Sequence, residues 1–316
     1  MPASISTRAS GLPTDGGALV ASVMAAVFWG TNFEATRIAL LYLPPWSAAA
    51  GRFVLAAAAI MLWLRIAKGI RWSVLRRNLT SYAVLGVVGV AGFNAALFLG
   101  MKTSSPVTAA LIMGTSPLTT NLLESLLLRR MPSPRALAGM VVSLLGVALT
   151  VGAFSGAHFA SGDILVLLGS LAWAVYTIGC RRWVSDATPL ETTAWTMLVG
   201  AFALAFVGFS VETPVTSFVH APTIALVSIL WMALLGSVLA YLFWQTGIAK
   251  RGPGATSIMF NLVPVSALLV AAIFGRTPGL AQIAGVAIAI FGVLLASGSG
   301  KLPGVRNGRL PSSGRI

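Results

Sequence analysis

Two ionisable side chains of opposite charge lie within the first two apolar stretches of the sequence. Glu34 follows the run Phe28-Trp29-Gly30-Thr31-Asn32-Phe33, and Arg52 lies seven residues beyond Pro45. At about 1.5 Å per helical residue, the two charges would lie at similar depth and could face each other. Charges in an apolar environment are costly and usually mark function, so Arg52 could bind a carboxylate and Glu34 an ammonium group. Alternatively, the pair ties two helices together, or Glu34 pairs with Arg37.

Uncharged polar and aromatic side chains also occur within apolar runs. Asn32, Asn94, Asn261 and Gln245 could each link neighbouring helices or bind a ligand, and we keep the three asparagines as candidates. An apolar pocket could be lined by aromatic side chains, although several of them could instead be interfacial anchors. The aromatic candidates are Phe28, Phe33, Phe98, Trp173, Tyr176, Trp195, Tyr241 and Trp244.

The spacing of these residues indicates an internal duplication. Trp29, Arg37 and Pro45 follow one another at intervals of eight, and the same types recur 144 positions later as Trp173, Arg181 and Pro189. Two prolines eleven residues apart occur in each half, as Pro106 and Pro117 and as Pro253 and Pro264. We therefore predict two homologous halves, residues 17–155 and 160–299. A disordered amino-terminal segment, 1–16, and a basic carboxy-terminal tail, 300–316, would flank them.

Composition restricts the class of protein. Hydrophobic residues make up 57% of the chain and charged residues 9%, which is too few charges for a water-exposed surface. A bilayer core needs about 20 apolar residues per helix. The sequence offers ten such stretches, at 17–38, 45–66, 80–101, 105–128, 135–154, 162–181, 190–210, 223–247, 254–274 and 279–298. The predicted fold is an all-α membrane protein.

The basic residues predict an orientation. Seventeen of the 21 Lys and Arg residues fall on the side that holds both termini, and Arg37, Lys102 and Arg276 fall on the other. By the positive-inside rule both termini are cytoplasmic, so the net charge of +14 is a topology signal and not a nucleic-acid site. Five spans per half make the repeat inverted, an architecture that commonly places a substrate site between the halves.

The sequence lacks the features of an enzyme. It has two histidines, one cysteine, and no cluster that would hold a metal or a cofactor. Pro117 and Pro264 lie inside predicted helices, and each removes a backbone hydrogen bond to the carbonyl four residues earlier. The two resulting bends could act as gates or simply shape the bundle.

Several motifs together resemble a known family. With Phe28-Trp29-Gly30-Thr31-Asn32-Phe33, Pro44-Pro45, Arg52-Phe53 and the prolines and glycines that follow, the chain resembles the drug/metabolite transporter superfamily. Within it, the chain is similar to the ten-helix EamA-type exporters, including the YddG-type aromatic amino-acid exporters. This resemblance implies two five-helix halves around a central cavity, lined by helices 1 to 4 and 6 to 9, with helices 5 and 10 outside.

The expected function is therefore export of small organic metabolites across a bacterial inner membrane by alternating access. Aromatic or large neutral amino acids are the leading substrate class, and protons are a candidate coupling ion, with Glu34 as their site. Lipophilic cations bound by Glu34 are the alternative. A membrane enzyme or a non-transporting scaffold is a further alternative.

Overall fold

The protein is described here by a computed structural model that covers residues 15–127, 129, 134–150 and 160–297. Within these residues the secondary structure is helical, with no β-strand. The helices are α1 Asp15–Leu40, α2 Pro45–Ala67, α3 Trp72–Gly100, α4 Pro106–Gly114, α5 Ser116–Leu127, α6 Pro134–Thr150, α7 Ser161–Arg182, α8 Pro189–Val211, α9 Pro214–Val219, α10 Thr223–Arg251, α11 Pro253–Ser257, α12 Leu262–Ile273 and α13 Leu280–Ser297. Almost all of the predicted segment 1–16 and all of the tail 300–316 lie outside the described residues.

Among the described residues, six helices are long and apolar enough to cross a membrane, namely α1, α2, α3, α7, α8 and α10. Their outward faces carry large apolar side chains such as Phe206, which is 76% exposed. This pattern is typical of a surface that faces lipid rather than water. Shorter helices occupy the other four predicted spans, so the count of ten crossings remains a prediction.

Both predicted helices that contain an internal proline are interrupted. The predicted span 105–128 divides at Thr115, which has φ −79° and ψ 1°, and Pro117 is the second residue of α5. In the other half, a 3₁₀ turn at Ile258–Asn261 precedes α12, whose third residue is Pro264. A Cβ added at Gly114 would lie 3.1 Å from the Pro264 ring, so the two interruptions pack against each other. Their role as gates remains a prediction.

Two π-helical segments, at equivalent places in the halves, were not predicted. Leu85–Gly92 lies within α3 and Leu234–Leu239 lies within α10. Such segments are uncommon and often occur at functional sites. A side chain at Gly89 would collide with Tyr176, and one at Gly236 would collide with Asn32. The glycines therefore let α7 and α1 approach the backbone of these segments closely.

The two halves interlock with pseudo-twofold symmetry. Helix α1 packs against α10 and α12 of the second half, and its equivalent α7 packs against α3, α4 and α5 of the first. Helix α2 packs against its own equivalent α8, and α6 packs against its equivalent α13. Glycines permit the α6–α13 contact, since a Cβ at Gly146 or Gly292 would strike the facing backbone. Each half therefore completes the core of the other, and the centre of the bundle is shared between them.

Candidate functional site

A narrow cavity lies where the two halves meet. The volume that the centres of water molecules can occupy is about 30 Å³, which is enough for a few waters. Its lining residues come from α1, α2, α3, α4, α7 and the 3₁₀ turn, and are Trp29, Asn32, Phe33, Thr36, Arg52, Phe93, Leu97, Met113, Trp173 and Phe260. Among the lining residues only Arg52 carries a charge. The cavity is thus an apolar and aromatic chamber with one cation.

Of the residues predicted to bind substrate, four line this cavity: Asn32, Phe33, Arg52 and Trp173. The other predicted residues do not line the cavity. They are Phe28, Glu34, Asn94, Phe98, Tyr176, Tyr241 and Asn261. In the described part of the chain, no group of three His, Cys, Asp or Glu side chains is placed to hold a metal ion.

Arg52 is almost fully buried, with 2% of its surface exposed. Its Nε donates to Ser237 Oγ at 2.8 Å, and one Nη donates to the carbonyl of Gly236 at 3.2 Å, both in the π segment of α10. The other Nη donates to Asn94 Oδ1 at 3.3 Å. None of the ion pairs among the described residues includes Arg52. Arg52 is therefore a buried cation held by neutral groups, without an acidic partner.

Asn94 and Tyr241 form a hydrogen-bonded pair that contacts Arg52 through Asn94. The Asn94 amide nitrogen donates to Val90 O at 2.8 Å and to the Tyr241 hydroxyl at 3.3 Å. This leaves its oxygen facing the guanidinium. Asn94 and Tyr241 are both buried, and they lie 147 positions apart, the same offset that relates Pro117 to Pro264. Two equivalent positions thus meet at the pseudo-twofold axis and fix the orientation of one arginine.

Asn32 is the second polar side chain of the cavity. It is 5% exposed and packs over Gly236. Neither its amide nitrogen nor its oxygen has a hydrogen-bond partner among the described residues, and the same is true of Trp173 Nε1. A buried polar group without a partner costs about 1–3 kcal/mol, so each of these groups calls for a partner such as a bound water or a ligand.

Trp29 is at the centre of the aromatic lining, although it was not among the predicted site residues. Its ring stacks on Phe260 with centroids 5.1 Å apart and meets the edge of Trp173 at 5.2 Å. Its Nε1 donates to the Gly236 carbonyl at 2.9 Å. The repeat contained the signal needed to find it, because Trp29 lies 144 positions before Trp173, which was predicted.

The remaining aromatic candidates serve the packing around the cavity. Tyr176 stacks on Trp173 at 5.0 Å, while its hydroxyl lies 3.2 Å from Thr196 Oγ1 and accepts from Gln245 at 3.0 Å. Phe28 stacks on Phe243, and Phe98 is fully buried in the core.

Asn261, the remaining polar candidate, is engaged locally. Its amide donates to the Ile258 carbonyl within its own 3₁₀ turn at 2.8 Å.

The prediction that Glu34 faces Arg52 is wrong. Glu34 accepts from Arg37 at 2.7 Å and also pairs with Arg276, in the connection between α12 and α13. Helical geometry explains the difference, because Glu34 is turned by about 140° from Trp29 at 3.6 residues per turn. Asn32, Phe33 and Thr36 lie on the Trp29 side. The alternative pairing of Glu34 with Arg37 is the one that forms.

Charged groups also connect the two ends of α8 to neighbouring segments, at the start of α2 and at the start of α3. At the end that holds Pro45, the Glu212 carboxylate accepts from the backbone N–H of Trp46 at 3.2 Å and of Ser47 at 2.7 Å. At the other end, Glu191 accepts from Arg71 Nε at 2.7 Å, a hydrogen bond that raises the pKa of the Arg71 guanidinium. Ser47 and Glu191 are equivalent, 144 positions apart. These contacts were not predicted from the sequence.

Comparison with known proteins identifies the family. The EamA-like transporter family matches the chain twice, over residues 16–152 and 160–298. The uncharacterized transporter YyaM of Bacillus subtilis (strain 168) is 38% identical over 283 residues, covering 88% of this chain and 92% of that protein.

Two relatives have names that include a substrate. A probable terminal-alkyne amino-acid exporter of Streptantibioticus cattleyicolor is 27% identical, over 88% of this chain and 92% of that protein. A probable amino-acid metabolite efflux pump of Salmonella typhimurium is 24% identical, over 87% of this chain and 92% of that protein.

One crystal structure of another protein shares the fold. It aligns with a TM-score of 0.69 and 23% identity, over 89% of this chain and 96% of that chain. The two family matches together span most of the sequence, and each covers one of the two interlocked helical halves. The chain therefore belongs to the EamA-like transporter family, and is a multi-pass membrane transporter rather than an enzyme.

Proposed function

We propose that this protein exports amino acids, aromatic or large neutral ones foremost, across a bacterial inner membrane. The observation that carries the proposal is Arg52, a buried cation in the central cavity whose protein partners are all neutral. A substrate carboxylate supplies the missing negative charge, and charge-assisted hydrogen bonds of this kind are about twice as strong as neutral ones. The aromatic lining receives the side chain.

The relatives support the substrate class. Two of them are named as exporters of an amino acid or of amino-acid metabolites, and both align over more than four fifths of their length. The distribution of Lys and Arg supports an orientation with both termini in the cytoplasm. In that orientation, Arg71 and Glu191 lie at the cytoplasmic end of the bundle, and Glu34, Arg276 and Glu212 lie at the external end.

Alternating access accounts for the small volume of the cavity. Space for a few water molecules does not admit an amino acid, so the halves must separate on one side to load substrate. The interruptions at Thr115 and at Ile258–Asn261 lie in equivalent helices and are natural bending points. We propose that Pro117 and Pro264 are the gating positions of the two halves.

The cavity does not favour the alternative substrate class, lipophilic cations. Glu34, the predicted partner of such a cation, is engaged by Arg37 and Arg276 and does not line the cavity. The charged group that does line it, Arg52, repels a cation.

The test is efflux from liposomes that contain only the purified protein. Liposomes loaded with labelled phenylalanine, tryptophan or leucine should release them saturably, whereas protein-free liposomes should not. Arg181→Gln is the matched control, because it removes one arginine charge from an exposed helix end outside the cavity. A parallel series with an imposed pH gradient tests proton coupling. Absence of saturable flux for every amino acid, from protein with a cooperative unfolding transition, would refute the proposal.

A further inference from the structure

We infer that the central site requires the carboxylate of its substrate and does not require the ammonium group. The transported class is then apolar and aromatic monocarboxylates, of which amino acids are one subset and 2-oxo acids another. This inference rests on the proposed function, since it concerns the substrate of the same cavity.

The cavity has a surplus of hydrogen-bond donors. Arginine carries five N–H groups, and three of those of Arg52 donate to Ser237, Gly236 and Asn94, which leaves two. Trp173 Nε1 and the Asn32 amide nitrogen are further donors without a partner in the described structure. All three side chains line the same cavity. A carboxylate, which accepts through two oxygens, matches this set.

Acceptors in the cavity are few and neutral. The Gly236 carbonyl already accepts hydrogen bonds from Trp29 and Arg52. The remaining acceptors among the lining side chains are the Asn32 oxygen and the hydroxyl of Thr36, which itself donates to the Met232 sulfur at 3.2 Å. An ammonium group brings three donors and a positive charge. No lining carboxylate is present to meet them.

The aromatic rings offer a cation only part of the surface that would compensate for the missing carboxylate. A cation is attracted by the open face of an aromatic ring, but Trp29 is stacked on Phe260 with an interplanar angle of 12°. Trp173 is stacked on Tyr176 with an angle of 28°. One face of each indole is therefore covered by another ring. The Arg52 charge, in the same desolvated space, opposes an ammonium group directly.

The chemistry of the lining therefore separates the two poles of an amino acid. Binding of the carboxylate satisfies donors that otherwise have no partner, whereas binding of the ammonium group meets two neutral acceptors and a repelling cation. A compound with the same aromatic ring and carboxylate, but with a keto oxygen in place of the ammonium, should bind at least as well.

The experiment uses counterflow in liposomes that contain the full-length protein, with labelled phenylalanine and three unlabelled competitors of similar size. We expect phenylpyruvate to compete within about tenfold of phenylalanine, and phenethylamine, which lacks the carboxylate, to be at least about tenfold weaker. 3-Phenylpropionate should behave like phenylpyruvate. Labelled phenylpyruvate should also be transported, above the leak of protein-free liposomes.

Variants assign the effect to the cavity. Arg52→Gln should weaken competition by phenylpyruvate on the order of tenfold or more, and Arg52→Lys, which retains the charge but not the planar guanidinium, should be intermediate. Asn32→Asp introduces a carboxylate and should weaken phenylpyruvate while strengthening phenethylamine. Arg181→Gln is the matched control and should leave all competitors unchanged.

The results separate the inference from the proposed function. If phenylalanine is transported but phenylpyruvate neither competes nor moves, the inference is wrong and amino-acid export stands. If phenethylamine competes as well as phenylpyruvate, the carboxylate is not the required group and the inference is again wrong. If no compound moves through folded protein, both are wrong. Unchanged transport of phenylpyruvate by a folded Arg52→Gln variant would also contradict it.

Discussion

The two halves of the molecule share a scaffold but not a chemistry. Trp29 and Trp173 are equivalent, touch each other edge to face, and both line the cavity. The proline interruptions and the π segments also occur in both halves. These features determine how the backbones of the halves approach each other. They are duplicated because each half must fit the other in the same way.

The groups that would bind substrate differ at equivalent positions. Arg52 and Asn32 of the first half correspond to Thr196 and Tyr176 of the second. Thr196 and Tyr176 lie 3.2 Å apart and satisfy each other, whereas among the residues that the structure describes Asn32 has no hydrogen-bond partner and Arg52 has no counter-charge. A substrate with one charged end needs only one such set. We infer that substrate binding falls to the first half, because the equivalent polar groups of the second half already contact each other.

The largest expected effect comes from making the first half resemble the second at the charged position. Arg52→Thr should reduce the transport efficiency for a carboxylate substrate by at least about 30-fold, because losing one partner of a buried charged pair costs about 2–5 kcal/mol. Substitution of the equivalent residue in the second half should have little effect on transport. We therefore expect Thr196→Val to change the transport efficiency by less than about threefold. Efflux rates against substrate concentration measure both. Equal effects would show that the halves are functionally symmetric.

A second prediction compares the glycines of the two π segments. Gly236→Ala places a methyl group against Asn32, and Gly89→Ala places one against Tyr176. Each should destabilise the protein by about 1–3 kcal/mol through overpacking. Only Gly236→Ala should also lower transport by about tenfold, because its carbonyl holds Trp29 and Arg52. Thermal unfolding and efflux should be measured on the same preparations; equal loss of transport in both variants would contradict this distinction.

The third prediction separates binding from stability at one pair of equivalent residues. Asn32→Leu removes a buried amide that has no partner in the described part of the protein, so stability should be unchanged or higher while substrate affinity falls several-fold. Tyr176→Phe removes a hydroxyl that contacts Thr196 and Gln245, so stability should fall by about 1 kcal/mol with little change in affinity. Thermal unfolding with and without substrate distinguishes the two. Reversed outcomes would place the binding group in the second half.

A smaller effect is expected at the two ends of α8. Glu212→Gln weakens the contact with the first backbone N–H groups of α2, and Glu191→Gln weakens the contact with Arg71. We expect each to lower the midpoint of thermal unfolding by a few degrees. High salt should reduce the difference at Glu191 more than at Glu212, because Arg71 is exposed whereas Glu212 accepts backbone donors. Identical salt dependence would contradict this reasoning.

The smallest effect is expected at Glu34. The Glu34 side chain is 4% exposed, but its partners Arg37 and Arg276 are 34% and 40% exposed and remain hydrated when the carboxylate is replaced, so we expect only a modest loss of stability. Because the carboxylate is turned away from the cavity, Glu34→Gln should retain transport within about twofold at every pH tested. Loss of the pH dependence in this variant would instead assign Glu34 a role in proton coupling.

Much of the fold could be predicted from the sequence because its signals are local. Apolar stretches of about 20 residues require helices in a bilayer, since backbone polar groups must be satisfied within the segment. The prolines at 117 and 264 interrupt their helices because the ring lacks a donor. Trp29 recurs as Trp173 in the repeat. Trp173 was predicted as a site residue, and the same repeat could have predicted Trp29.

The tertiary structure decided which of the candidate side chains share a cavity. The similar depth of Glu34 and Arg52 along the chain predicted that they face each other, but the turn of the helix places Glu34 on another face, toward Arg276. The hydrogen-bond partners of Arg52 on α10 lie 184 and 185 residues away, and those of Glu212 on α2 lie 165 and 166 residues away. Hydropathy fixes the depth of a residue along a span, but its direction and neighbours depend on how the helices of the two halves pack. For that reason the sequence determined the apolar helices and the duplicated halves, and the packing of those halves determined the binding groups.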